Sequence, residues 1–351
     1  MNLRGAGAVA CIVLLTGACS STSDPEDTGR ISSSIVHGAD SPASQDAVVL
    51  LMHYDAIQIG GGTAGCTGTL LTPRLVLTAR HCVAVTDPGA ACDSAGNPVS
   101  GGVVRGDHVA SKLFAFAGNQ RPDFLSGLDK ASRGLEIIDD DAKTLCNHDL
   151  ALLLLDRALP GVTIAPVRLE DGPHQDELVT VVGFGVSEKS PTPQTRQERA
   201  GVKVVAVGPA ERLGPGEFRL GESGCAGDSG GPALAGSGAV LGVLSRGGNG
   251  ADGKSGDVAV CIDAENVFTS VAKYKDLLLS AYQKAGQEPW IEGQANPTLP
   301  KAPGPEEKGS NSSGCTMTSR GGAPLPAWSA WSALAAVGML LACASRRPAR
   351  S

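Results

Sequence analysis

Between residues 35 and 286 the apolar positions come in short bursts, not in helical stripes. Runs at 47–52, 75–78, 150–155, 178–182, 202–207 and 240–244 are separated by clusters of Gly, Pro, Asp and Asn. Short apolar runs at regular spacing with turn signals between them predict an all-β domain, a sandwich or a barrel. One stretch has helical spacing. Val271, Tyr274, Leu278 and Ala281 share a face, starting near Ser270, which can act as N-cap, and ending near Lys284. Residues 88–132 are Gly-rich and irregular and read as inserted surface loops. No internal repeat is visible.

Composition narrows the class. Of 351 residues 42% are apolar, enough for a sizeable core, and 47 Gly with 22 Pro favour a turn-rich β protein. The net charge of −7 argues against nucleic acid as a partner, which asks for a basic surface.

The two ends carry targeting signals. Arg4, an apolar run at 6–15 and Thr16-Gly17-Ala18-Cys19 form a secretory signal peptide, 1–18. Cys19 after small residues resembles a bacterial lipoprotein box, with Cys19 as the lipidation site; the stretch 19–34 is then a propeptide. Residues 287–313 are rich in Pro, Gly, Glu, Lys and Ser and predict a flexible linker. Residues 314–351 hold Gly314-Cys315, a hydrophobic segment at 325–344 and Arg346-Arg347 with Arg350. That segment can just span a bilayer, with the basic end cytoplasmic and Trp328 and Trp331 at the other interface. The pattern resembles the C-terminal sorting tag of myxobacterial surface proteins. The expected location is the cell surface, the outer membrane or the medium.

Ten cysteines divide by context. Cys11 and Cys19 lie in the leader, Cys315 and Cys343 in the tail, and Cys66, Cys82, Cys92, Cys146, Cys225 and Cys261 between them. An even set behind an export signal predicts disulfides. No C-x-x-C pair occurs among the six, so neither a metal site nor a cofactor is expected.

The chemistry-bearing string is Gly227-Asp228-Ser229-Gly230-Gly231-Pro232, preceded by Cys225. An amide yields to an activated oxygen with donors waiting for the oxyanion. Glycines around a serine let successive backbone N–H groups converge, here those of Gly227 and Ser229. A serine also needs a base, and the base an orienting group. Thr78-Ala79-Arg80-His81-Cys82 follows an apolar run, and Asp149 opens another. These three signatures, in the order His, Asp, Ser, resemble the chymotrypsin/trypsin family of serine proteases. The order differs from that of subtilisin and of the α/β-hydrolases.

The resemblance covers residues 35 to about 283. It implies two six-stranded antiparallel β-barrels with a C-terminal helix and a cleft between the barrels. His81, Asp149 and Ser229 would be the catalytic triad, and the amides of Gly227 and Ser229 the oxyanion hole. It implies disulfides Cys66–Cys82 and Cys225–Cys261, and leaves Cys92 with Cys146. Gly183-Phe184-Gly185 resembles the family's Gly-Trp-Gly strand end, and Ser245-Arg246-Gly247 its Ser-Trp-Gly segment beside the substrate. Ile35-Val36-His37-Gly38 resembles the mature N-terminus, whose freed ammonium would pair with Asp228. Ser34 precedes Ile35 and the nearest basic residue is Arg30, so the activating protease is not a simple trypsin-like self-cleavage. At the specificity pocket Ser223 stands where trypsin-type enzymes carry Asp, with Ser245, Gly247 and Asn266 around it and Glu222 adjacent. The expected substrate is a protein or peptide. The rival readings are a catalytically inactive surface binding module on the same scaffold and an esterase using the same triad.

Overall fold

The computed structural model describes residues 35–58, 65–124, 126–250 and 257–298. Cys19, the rest of the leader and the tail 314–351 lie outside the described residues. The expectations of lipidation and of a sorting tag therefore concern other parts of the chain. Among the described residues no helix is long and apolar enough to cross a membrane.

The first barrel is a closed ring of six strands: β1 (Val48–His53), β2 (Gly65–Thr72), β3 (Leu75–Thr78), β4 (Leu113–Phe116), β5 (Ser132–Ile138) and β6 (Ala151–Leu155). The ring order is β5-β6-β3-β2-β1-β4, and β4 closes on β5. All its pairings are antiparallel. Strand β6 shows why the sequence reads as a continuous apolar run. Alternate side chains point to opposite faces. Ala151, Leu153 and Leu155 pack with Val49, Leu51, Leu70 and Val76 in one cluster, while Leu152 and Leu154 join another, with Leu278, Ala281 and Tyr282 of the C-terminal helix. Both faces are covered, so neither needs polar residues.

The second barrel holds β7 (Leu178–Gly183), β8 (Gln197–Val207), β9 (Glu217–Leu220), β10 (Pro232–Leu234), β11 (Val240–Gly248) and β12 (Glu265–Ser270). Its order is β8-β7-β10-β11-β12-β9, closed by pairing of β8 with β9, and the short strand Ala39–Asp40 adds to the outside of β8. Phe218 and Phe268 stack at 5.4 Å in its core beside Val181, Val204 and Leu241. The fold is the two-barrel, chymotrypsin-like architecture that the resemblance implies.

Three features differ from the pattern reading. The stretch 88–132 is not merely surface loop, because it contains β4, a full barrel strand flanked by Gly- and Asp-rich segments that hide it. Its remainder helps to build two small hairpins, Ala84–Thr86 with Val104–Asp107 and Ala90–Cys92 with Pro98–Gly101. The predicted helix opens as a 3₁₀ turn, Val271–Tyr274, and becomes α-helical only over Lys275–Ala285. Ser270 makes no side-chain capping bond, and Gly286 ends the helix at φ 67°. Finally, the first residues of the composition-based linker are held by the domain. Val167 N–H donates to Trp290 O (2.9 Å), Glu292 N–H donates to Val167 O (2.9 Å), and Arg168 pairs with Glu292, so this segment is docked on the domain.

All three middle disulfides are formed: Cys66–Cys82, Cys92–Cys146 and Cys225–Cys261.

Candidate active site

The site is assembled from the ends of strands in both barrels. After β3 the chain turns once as a 3₁₀ element, Arg80–Cys82, which the Cys66–Cys82 disulfide ties to β2. That turn presents His81. Asp149 sits two residues before β6 and is 1% exposed. Its Oδ1 accepts the backbone N–H of His81 (2.9 Å), and its Oδ2 lies 2.8 Å from the Nδ1 of the His81 ring. The second barrel supplies a third bond: Ser245 Oγ donates to Asp149 Oδ2 at 2.7 Å. The carboxylate thus fixes both the main chain and the ring of His81, leaving Nε2 free to exchange a proton.

Burial alone would raise the Asp149 pKa. The charge of His81 and the hydrogen bonds from His81 and Ser245 outweigh it and hold the carboxyl below its usual range. For His81 burial works downward, but the Asp149 charge and hydrogen bond prevail and raise its pKa. The two directions agree and describe an ion pair that strengthens when the ring is protonated.

Ser229 lines the same cleft as His81 and Asp149, a space of about 860 Å³. The turn that carries it is locked from behind. Thr67 N–H donates to Ser229 O (2.8 Å), and Thr67 Oγ1 donates to Gly227 O (2.9 Å). Among the described residues, the N–H groups of Gly227 and Ser229 have no acceptor. Gly227 takes φ 98°, and at Gly230 (φ 78°) a Cβ would stand 2.1 Å from Thr78 Oγ1, so neither position tolerates a side chain. No hydrogen bond joins Ser229 Oγ to His81 in the structure; catalytic contacts of this kind commonly tighten only in the substrate complex.

Asp228, between the two free amides, is fully buried and accepts N–H bonds from Gly185 (2.7 Å) and Cys225 (2.9 Å). Gly183 and Gly185 are needed here, since a Cβ on either would come within 2.4 Å of the Asp228 carboxyl. Burial pushes the pKa of Asp228 up to about 7, against the two amides and the nearby charge of Arg121. Arg121 was not foreseen from sequence. Its Nη2 donates to Phe184 O (2.5 Å) and its Nε to Pro193 O (3.0 Å). The Phe184–Gly185 peptide therefore has a guanidinium on its oxygen and the Asp228 carboxylate on its nitrogen.

Ile35 and Val36 are both fully buried, Ile35 against Val181, Val204 and Phe218, and Val36 against Val186 and the Cys225–Cys261 pair. His37 adopts φ 57°; its N–H donates to Glu188, and its ring lies 2.6 Å from Glu222. Glu222 also holds Arg199 (2.8 Å) and accepts Asp263 N–H (2.5 Å), so its charge is spent on the N-terminal segment. Ser245, Gly247, Gly224 and Asn266 line the cleft. Ser223 is fully buried and is not among the lining residues. With its amide oxygen and nitrogen exchanged, Asn266 would accept from Ser223 N and donate to Gly224 O, each at 3.2 Å.

Cys66, His81 and Cys82 are the one grouping of metal-type side chains among the described residues. Both sulfurs are consumed by the disulfide, so only one nitrogen is on offer.

A family model described as Trypsin matches residues 52–277, more than half of the chain. The chain belongs to the trypsin family. A search of curated proteins returns no match. Among solved structures, a mutant of human heparin-binding protein (CAP37) is similar, with a TM-score of 0.50 at 20% identity. The match covers 73% of this chain and 100% of that one. At this identity the likeness speaks for the fold alone, and the fold agrees with the trypsin-family assignment.

Proposed function

We propose that this trypsin-family chain is a serine endopeptidase that cleaves protein or peptide substrates through an acyl-enzyme. The observation that carries the reading is the doubly bonded His81–Asp149 pair facing the cleft that Ser229 lines, beside two backbone N–H groups without acceptors. Ser229 Oγ attacks the scissile carbonyl carbon while His81 Nε2 takes its proton. The carbonyl oxygen becomes an oxyanion between the N–H groups of Gly227 and Ser229. His81, now cationic and held by Asp149, protonates the leaving amine. Water then repeats the sequence on the acyl group and restores Ser229.

The same reading assigns activation to a new N-terminus at Ile35. A buried Asp228 bonded only by amides has no cation in direct contact, Arg121 lying on the far side of a peptide, and a freed Ile35 ammonium would supply one. The three disulfides suit an oxidising compartment, in keeping with an exported enzyme held at the surface through its termini.

The second reading is a binding module without catalysis, which the name of the heparin-binding neighbour keeps in view. A net charge of −7 disfavours a polyanionic ligand for this chain. Labelling with a fluorophosphonate separates the two: an enzyme is modified at Ser229, a binding module is not. Cleavage of a peptide library then distinguishes peptidase from esterase.

A further inference from the structure

Arg246 stands on β11 where the resemblance leads one to expect Trp, and it lines the cleft next to Ser245. Its guanidinium does not reach for solvent. Nη1 lies 2.6 Å from Glu217 Oε1 and Nη2 2.8 Å from Oε2, a bidentate pair with Glu217, which opens β9. The Arg246 side chain is 15% exposed and that of Glu217 is fully buried. Both Glu217 oxygens carry a second bond: Oε1 accepts Asn147 N–H (3.0 Å), and Oε2 accepts Gly214 N–H (2.9 Å).

Asn147 precedes Asp149 by two residues and belongs to the first barrel's side of the cleft. Three of its four polar groups face the second half of the molecule. Its N–H goes to Glu217, its Oδ1 accepts Gly216 N–H (2.6 Å), and its carbonyl accepts the hydroxyl of Tyr274. It holds φ 70°, a strained value for a residue with a side chain. The remaining titratable neighbour in this loop is His148, which pairs with Asp140 at 2.5 Å and lies 3.2 Å from the Tyr274 hydroxyl.

We propose that the Glu217–Arg246 pair is a positioning device for the triad: it clamps Asn147 across the barrel interface and so fixes the carboxylate of Asp149 against His81. The inference rests on the triad reading above. Glu217 is the hub because its two oxygens meet four donors. Glu217→Gln keeps the shape but puts an NH₂ where an acceptor must be. Two of the four donors then lose their acceptor, either Arg246 Nη1 with Asn147 N–H or Arg246 Nη2 with Gly214 N–H. A loosened Asp149 pairs less well with His81, whose pKa it holds up.

The test is an NMR titration of the His81 ring in the full chain, in a Ser229→Ala background that prevents self-digestion. Glu217→Gln is expected to lower the His81 midpoint by about one pH unit. Glu292→Gln, which breaks the comparable Arg168–Glu292 pair elsewhere on the domain, is expected to lower thermal stability and leave that midpoint in place. With Ser229 restored, Glu217→Gln should reduce kcat about tenfold with little change in KM and move the acid limb of kcat/KM to lower pH. If Glu217→Gln does not fold, Arg246→Met and Arg246→Lys carry the comparison, and the lysine, which keeps the charge, should restore part of the midpoint. Loss of stability with an unmoved His81 midpoint in these variants would overturn the positioning role. Failure of the chain beginning at Ile35 to react with a fluorophosphonate, alongside a shifted midpoint in Glu217→Gln, would instead sink the peptidase reading and leave the clamp standing.

Discussion

Asp149 and Asp228 are two carboxyls withdrawn from water within one site, and they come to opposite states. Asp149 meets an imidazole, a hydroxyl and a backbone N–H, and its pKa lies below the ordinary carboxylate range. Asp228 meets two backbone amides and a guanidinium on the far side of a peptide, and its pKa is pushed up to about 7. Burial is nearly the same for both, so the partners decide. On the proposed reading, a carboxylate held by a close cation-forming group can orient a catalytic histidine without further change. One bonded by neutral amides, with its nearest cation beyond a peptide, has room for a charge. On this proposal the new terminus acts on the Asp228 side of the cleft, and nothing further is asked of the Asp149 side.

The largest expected effects fall on the Asp149 side. Ser229→Ala and His81→Ala should each lower turnover by about 10⁴–10⁶, measured on peptide substrates, with the domain still folded by circular dichroism. Asp149→Asn should lose about 10⁴, because the amide cannot hold the ring in the required tautomer. Near-normal turnover in Asp149→Asn would assign the orienting role to another carboxylate.

The next effect lies on the Asp228 side. Cleavage before Ile35 should raise activity by several powers of ten, since each oxyanion donor is worth about 3–4 kcal/mol in the transition state. N-terminal sequencing of active material checks this, and an active form that begins at Cys19 or Ile31 would contradict it. In such a form Arg121 would be the only cation near Asp228 among the described residues, which makes Arg121→Met the informative variant there.

A smaller effect is visible in pH dependence, and its sign differs between the two carboxyls. The pKa of Asp228 is raised on folding, so the folded uncut chain holds a proton that the unfolded chain releases. The Asp228 contribution to stability should therefore fall as pH rises from about 4 to about 7, by on the order of 4 kcal/mol, whereas the contribution of Asp149, whose pKa is lowered on folding, is lost as pH falls through the acid range. Urea denaturation at a series of pH values measures it, and a chain that begins at Ile35 should show a flatter profile. Activity runs the other way. Protonated His81 cannot accept the serine proton, so kcat/KM should fall as pH drops through a pKa above the usual 6.5.

The smallest expected effect concerns selectivity. Cleavage after Arg or Lys should not be strongly preferred. Ser223 is buried behind the cleft surface, and Glu222 is committed to His37 and Arg199, so among the described residues neither position offers a free carboxylate to a substrate cation. A library profile dominated by Arg and Lys would refute this account of the pocket and leave the triad untouched.

How much of this could be read from sequence follows from how local each signal is. His81, Asp149 and Ser229 each sit in a short string whose neighbours are constrained by the same turn or strand, so the string announces the residue. Strands such as β3 and β6 are apolar on both faces and stand out as runs. Strand β4 does not, because its four apolar residues lie among Gly, Asp and Lys. Ser223 could be counted back from Ser229, but that it is fully buried and absent from the cleft lining is a property of the folded chain. Arg121, Glu217 and Arg246 left no motif. Each is a single charged residue whose partner lies 29 or more positions away, so that only the folded chain brings them together. Arg246 was visible as a departure from the expected Trp, and Glu217 was the missing half of the explanation.

The central claim is that Ser229 is an activated nucleophile in a site that His81 and Asp149 complete. Reaction of the chain beginning at Ile35 with a fluorophosphonate at pH 8, followed by mass spectrometry of the labelled peptide, tests it most directly. The account predicts one adduct, on Ser229, that disappears in His81→Ala. No adduct, or one on a different side chain, would contradict it.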